Sequence, residues 1–353
     1  DMVREFDGTV HAEYPGKQAW SAGWQNDGYD LYLQARQHRL QHYEKPDRPY
    51  VVSEYGDWEY YAQNAGFAQD SWGGLKEEAR TSRQALDSGE ARLLQQATNV
   101  QEAHDDNLST PAFADGYWAM FDYNRGYADD LELSGVMSID RLPKYAYWFF
   151  RSQRDASETG PGFEGGPMVR IASDWTSASS PNIRVFTNAE EVELRLNGKA
   201  IARRKPVPDR ISQRIAHAPI HFYAGGFAPG TLEAVAFIGG QEVARPAVAT
   251  ATAPARLCVA IDDAGVPVGK RDLLFLRAQV LDDTGRLVRT ARDRVRFSVS
   301  EGWEFVGPAE ADAEAGIASV LVRSPVDGRP GSFAAAGVNG PFTPGCPGGG
   351  LPQ

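Results

Sequence analysis

Two kinds of sequence meet near residue 155, and no single layered domain accommodates both. Before that point the chain is rich in Trp, Tyr, Gln and His, with short apolar runs between stretches of helical spacing. After it, Val/Ile/Leu/Arg alternations of period two dominate, cut by Gly, Pro and Asp. Helical stretches between buried strands predict βα units, whereas period-two alternation with frequent turns predicts antiparallel sheets. The 353 residues are enough for two or three ordinary domains with sizeable cores.

In the first part, residues 28–44 have the spacing of an amphipathic helix, with Leu31, Ala35, Leu40 and Tyr43 on one face. Pro49 ends that segment, and residues 50–53 follow as a short apolar strand. A long helix is predicted over 73–104, with a possible break at Asp87-Ser-Gly89. Residues 111–114 and 116–121 together predict another strand, and residues 143–151 a closing helix. In the second part, strands are predicted at 168–172, 182–186, 192–196, 230–237, 257–261, 273–281, 295–299 and 317–322. Asn197-Gly198 is a strong hairpin signal. Residues 158–167 (ETGPGFEGGP) have linker composition.

Composition excludes several classes. A net charge of −11 gives no basic footprint for nucleic acid. No apolar run reaches the ~18 residues of a membrane-spanning helix. Cys258 and Cys346 are in no metal-binding spacing, so neither a thiolate metal site nor a disulfide framework is expected. His104-Asp105-Asp106 lacks a ligand framework and is expected to be a solvated helix end. No cofactor and no metal are called for. The first residues show no secretory signal.

Two segments carry candidate chemistry. In Arg48-Pro-Tyr-Val-Val-Ser-Glu54-Tyr-Gly-Asp57-Trp58 an apolar strand ends in a carboxylate followed by aromatic and glycine residues. A carboxylate at the C-terminal end of a strand can attack or transfer a proton, and a Trp can stack on a sugar ring. The local alternative is a surface Glu after an edge strand. Gly116-Tyr-Trp118-Ala-Met-Phe-Asp122-Tyr-Asn124 again sets Trp, Asp and Asn at a strand end. Its alternative is an ordinary core Trp.

Together these segments resemble glycoside hydrolase family 2, the β-galactosidase, β-glucuronidase and β-mannosidase group. The quoted landmarks are Pro49-Tyr-Val-Val-Ser-Glu54-Tyr55-Gly56, Gly116-Tyr-Trp118-Ala-Met-Phe-Asp122, and Gly135-Val-Met-Ser-Ile-Asp140-Arg141-Leu-Pro143-Lys144. They occur in the family's order and cover residues 48–151. The resemblance implies a partial (β/α)8 TIM barrel, its C-terminal half, followed by two immunoglobulin-like β-sandwiches. The implied domains are a barrel portion at 1–155 and β-sandwiches at 168–252 and 254–338, and composition adds a linker at 156–167 and a disordered tail at 339–353. About 155 residues are fewer than the ~250 of a complete barrel.

The resemblance makes Glu54 the catalytic nucleophile and Trp118 a wall of the sugar subsite. Asp57, Trp58, Asp122 and Asn124 become further substrate-binding candidates. It implies a retaining exo-β-glycosidase, β-galactosidase-like, acting on terminal β-linked sugars. A β-glucuronidase-type specificity stays open, with Arg125, Arg141 and Lys144 near the motif loops. So does a non-catalytic carbohydrate-binding or structural module. The family's acid/base is the Glu of an Asn-Glu pair upstream of the nucleophile, and no such pair precedes Glu54. The chain is therefore expected to be truncated and inactive alone. Its expected partner is a carbohydrate, with no nucleic acid and no membrane; a homo-oligomer is open. For a full-length parent the resemblance favours a periplasmic or extracellular site.

Overall fold

The computed structural model describes residues 2–14, 16–17, 19–21, 28–35, 47–55, 83–124, 126, 131–160 and 165–346. It is multidomain and mostly β, with two compact units. The first comprises residues 1–173, 180–225 and 233–247, and the second residues 174–179, 226–232 and 248–353.

The first unit opens with a helix that the sequence pattern does not announce, α1 (Met2–Glu13), none of whose residues is buried. A strand, β1 (Tyr32–Ala35), stands where a helix over 28–44 is expected; residues 36–44 lie outside the described residues. The physical reason is tertiary pairing. Tyr32 stacks on Tyr50 with ring centroids 5.7 Å apart, and its N–H donates to the Pro49 carbonyl. β1 runs parallel to β2 (Tyr50–Tyr55), which runs parallel to β3 (Ala114–Tyr117), in the order β1-β2-β3. β4 (Tyr123–Asn124) and β5 (Leu131–Glu132) form a small antiparallel pair beyond β3.

Helix α2 (Glu90–Asn107) starts directly after Gly89, whose φ of 94° no ordinary residue adopts easily. Asp87-Ser-Gly89 thus bounds this helix, and residues 73–82 of the expected helix lie outside the described residues. Helix α3 (Tyr145–Ser152) follows Pro143 and Lys144 and buries Tyr145, Ala146 and Phe149.

The same unit continues into β6 (Val169–Ala172), β7 (Asn182–Thr187), β8 (Glu191–Leu196), β9 (Lys199–Arg204), β10 (Ile220–Tyr223), β11 (Thr231–Ile238), β12 (Gln241–Ala244) and β13 (Ala247–Ala249). They form a β10-β7-β6 sheet and a β12-β11-β8-β9 sheet, with β13 against β11. Asn197 (φ 51°) and Gly198 (φ 77°) make the tight turn between β8 and β9, as their sequence requires. Leu93, Ala97 and Val100 of α2, Phe149 of α3 and Met168, Ala172 and Phe186 of the sheet share one core. Helices α2 and α3 and this sheet therefore share one packed core.

The second unit contains β14 (Arg256–Asp262), β15 (Leu273–Leu281), β16 (Arg294–Val299), β17 (Glu304–Phe305), β18 (Glu310–Asp312), β19 (Ile317–Arg323), β20 (Phe333–Gly337) and β21 (Thr343–Pro344). A β17-β19-β15-β14-β21 sheet and a β18-β16-β20 sheet enclose Leu276, Val280, Val295, Phe297, Trp303 and Val320. Two expectations are corrected here. Cys258 and Cys346 are joined in a disulfide across 88 residues of sequence. The segment expected as a disordered tail from 339 is held as far as Cys346: Phe342 packs on the core and β21 lies parallel to β14. Gly and Pro erase any periodicity there, so edge pairing and a covalent link leave no trace in the pattern. No helix among the described residues is long and apolar enough to cross a membrane.

Candidate active site

The site is built on the strand ends of β2 and β3. Tyr50, Val52 and Tyr55 are buried in one cluster with Ala103 of α2. Residues 50 and 52 obey the two-residue strand period; residue 55 breaks it. The register of β2 on β3 shifts between Val52 and Tyr55, and that of β1 on β2 shifts opposite Glu54. The irregularity absorbs one residue, so Glu54 leaves the helix-packed row that strict alternation assigns to it. Glu54 is half-buried, and burial pushes its carboxyl above the ordinary glutamate range.

The next strand end fits closely against this irregularity. A Cβ on Gly116 would sit 2.9 Å from the Ser53 carbonyl oxygen, so only glycine lets β3 approach there. The Trp118 N–H donates to the Tyr55 carbonyl at 2.6 Å, fixing the start of the loop that carries the indole. Trp118 is 42% exposed, an unusual state for so large an apolar ring. Its indole N–H donates to the Tyr123 hydroxyl at 2.9 Å, and the two rings meet edge to face at 6.0 Å. The Trp118–Ala119 peptide is cis.

The other expected site residues separate. Asp57 and Trp58 lie outside the described residues. Asn124 is exposed, and its side-chain oxygen accepts the Gly126 N–H. Asp122 is 3% exposed and faces inward. Its Oδ1 accepts the Lys144 ammonium at 2.7 Å and the Gly135 N–H at 2.9 Å. Burial outweighs Lys144 and pushes the Asp122 carboxyl up to about 6. A Cβ on Gly135 would overlap the backbone at Phe121 and Asp122. The third landmark thus supplies a buried ion pair and a close backbone contact that shape the loop after Trp118.

A group that the sequence does not reveal lies behind Glu54. The His104 ring N–H at Nδ1 donates to Asp115 Oδ2 at 2.9 Å, and the Asn107 amide donates to the same oxygen. The Tyr55 hydroxyl also hydrogen-bonds Asp115 and lies 3.5 Å from His104 Nδ1. The rings of Phe149 and Phe150 meet His104 edge-on. The expected solvated helix end at 104–106 is corrected accordingly. Asp105 is 4% exposed and accepts the Arg214 N–H at 2.6 Å and the Ile215 N–H at 3.2 Å. Only tertiary packing brings β3 and the 209–217 loop to the two faces of this turn, so local polarity misleads.

Away from these strands, Asp7, His11 and Asp30 bring ligand-type atoms within 4.8 Å of one another. His11 hydrogen-bonds Asp30 and the Trp20 indole N–H donates to Asp7, so neighbouring side chains already engage all three.

Comparison with known proteins finds β-galactosidases and a family 2 β-glucuronidase structure. Residues 180–244 match a domain of unknown function, DUF4982. A β-galactosidase from Thermoanaerobacter pseudethanolicus is 30% identical over 225 residues, 59% of this chain and 29% of that protein. A β-galactosidase from Bacteroides ovatus is 26% identical over 192 residues, 52% of this chain and 20% of that protein. The chain thus spans less than a third of either relative. Among solved structures, a β-glycosidase from Bacteroides vulgatus superposes with a TM-score of 0.70 at 16% identity, covering 96% of this chain and 47% of that one. A family 2 β-glucuronidase gives 0.65 at 19% identity, covering 95% and 37%. These two share the fold.

Proposed function

We propose, for a chain that is a family-2-like stretch of sequence and fold, that it forms part of a retaining β-glycosidase whose nucleophile is Glu54. In this reading β1, β2, β3 and helices α2 and α3 are the last part of a (β/α)8 barrel. The two β-modules are immunoglobulin-like sandwiches. The observation that carries it is the exit of Glu54 from the buried row at the C-terminal end of parallel strand β2, one strand from the exposed Trp118. Active-site groups of such barrels stand at that end of the strands.

The chemistry follows from a carboxylate of this kind. Glu54, ionised, attacks the anomeric carbon from the face opposite the leaving group. The glycosidic C–O bond breaks, and the departing oxygen takes a proton from a carboxylic acid about 5–5.5 Å from the nucleophile. Water, deprotonated by the same group, then releases the sugar with retained configuration. Residues 1–53 contain no Asn-Glu pair, and no residue of this chain is assigned the donor role. Trp118 offers an apolar face for a sugar ring. Asp122 is a brace for its loop rather than a hydroxyl-binding group.

A neutral hexoside of the β-galactoside type suits the charge of the described residues best; Arg125, the third cation near the motif loops, lies outside them. Lys144 is wholly buried, bound to Asp122 and to the Leu133 carbonyl, so it presents no cation to a substrate carboxylate. Arg141 stacks 3.9 Å from the Phe121 ring centre and donates to the Ile139 carbonyl. The test is Glu54→Gln in the full-length enzyme, assayed on an aryl β-galactoside. Turnover is expected to vanish while the fold, followed by circular dichroism, persists. Wild-type turnover would remove Glu54 from the mechanism.

A further inference from the structure

Helix α2 has two faces with different partners, and its last turn joins them. On one face Glu102 accepts Arg210 at 2.6 Å, Gln101 donates to the Ile211 carbonyl at 3.2 Å, and Asp105 caps the N–H groups of Arg214 and Ile215. These partners all lie within residues 180–244, the segment that matches a domain of unknown function. On the other face His104, adjacent to Asp105, holds Asp115 of β3, which in turn binds the Tyr55 hydroxyl. Tyr55 follows Glu54 directly, and its carbonyl holds the Trp118 N–H.

We propose that the 180–244 module is a positioning element for the active site: by fixing the last turn of α2 through Asp105, it sets His104, and through Asp115 and Tyr55 it sets the strand end that carries Glu54. This coupling rests on Glu54 being the nucleophile. The bonds from the Arg214 N–H to Asp105 at 2.6 Å and from His104 to Asp115 at 2.9 Å both end on a carboxylate, which makes them short and directional. The contacts are also economical in sequence. Two consecutive residues of one helix serve the module and the strand, so a displacement of the module loop cannot be absorbed between them. Glu54 stands at a register irregularity, where backbone pairing alone constrains the strand least. The Tyr55 anchor supplies the missing constraint from the helix side. The module so placed is a brace for chemistry and needs no sugar contact of its own.

The test uses the full-length enzyme, an aryl β-galactoside for turnover and a 2-deoxy-2-fluoro aryl β-galactoside for covalent trapping. Asp105→Asn and Asp105→Ala address the module contact, and His104→Asn addresses the strand contact. Glu90→Ala is the control. Glu90 binds the Ser173 hydroxyl and the Ser180 N–H at the opposite end of the helix. It is about 21 Å from His104 along the axis at 1.5 Å per residue. At a temperature well below every melting transition, Asp105→Ala and His104→Asn are expected to lower kcat and the trapping rate about ten- to a hundredfold, with KM changed less than about threefold. Glu90→Ala is expected to lower Tm comparably and to leave kcat within about twofold of wild type. If Asp105→Ala does not fold, Asp105→Asn takes its place, with a smaller loss of the same sign. Wild-type kcat and trapping in a folded Asp105 variant would overturn the coupling. If Glu54→Gln turns over normally in the same assay, the nucleophile assignment fails instead, and the two failures are thereby distinguished.

Discussion

Glu54 and Asp122 are both acidic residues at strand ends, and burial raises both, yet their partners give them different work. Glu54 has the ordinary value of 4.5 as its reference and is raised from it by burial alone. Attack on a sugar requires the ionised form, so activity is lost as pH falls through this raised pKa. The acidic limb of kcat/KM in the full-length enzyme is therefore expected above pH 4.5, read from a pH–rate profile. A limb at or below that value would contradict a raised Glu54 carboxyl. Asp122 instead neutralises Lys144, which is wholly buried. Asp122→Ala leaves that ammonium without its carboxylate and is expected to cost about 3–5 kcal/mol in denaturant unfolding. A loss below about 1 kcal/mol would mean that other groups carry the charge.

At the scale of elements, the β2–β3 contact is set by what glycine permits. Gly116→Ala forces a methyl against the Ser53 carbonyl, and overpacking of this kind costs about 1–3 kcal/mol. A lower Tm together with slower covalent trapping at Glu54 is the expected result, because the displaced backbone belongs to the strand that carries the proposed nucleophile. An unchanged Tm would show that the strands part without cost. The strand at residues 50–53, which extends to Tyr55, helix α3 and the Asn197-Gly198 hairpin were legible because their signals are local: an apolar run, a helix after Pro143, and a turn that requires positive φ. Strand β1 was not, since Leu31 and Ala35 satisfy helical spacing while Tyr32 finds its partner in Tyr50 only after folding. Within the candidate site, Glu54 and Trp118 stood out by type and position. The Tyr55, His104 and Asp115 group did not, because three separate segments assemble it. Asp105 looked solvated for the same reason: the 209–217 loop that covers it lies more than a hundred residues away.

At the scale of the whole molecule, helices α2 and α3 share one compact unit with residues 180–225 and 233–247, and the C-terminal sheets form another with its own core. In the second unit the Cys258–Cys346 disulfide closes an 88-residue separation and ties β21 to the edge of β14. Cross-links over loops of this length stabilise by about 2–4 kcal/mol, mainly by restricting the unfolded chain. Cys346→Ser is expected to lower the melting transition of this unit by a corresponding few degrees, measured calorimetrically against the oxidised protein. Identical transitions with and without reductant would show that the bond carries no stability. The central claim joins all three scales: one carboxylate, on one strand end, held by one packed body. Treating the full-length enzyme with a 2-deoxy-2-fluoro aryl β-galactoside and mapping the esterified peptide by mass spectrometry tests it directly. The label is expected on Glu54, with one equivalent abolishing turnover; a label on any other carboxylate would contradict the account.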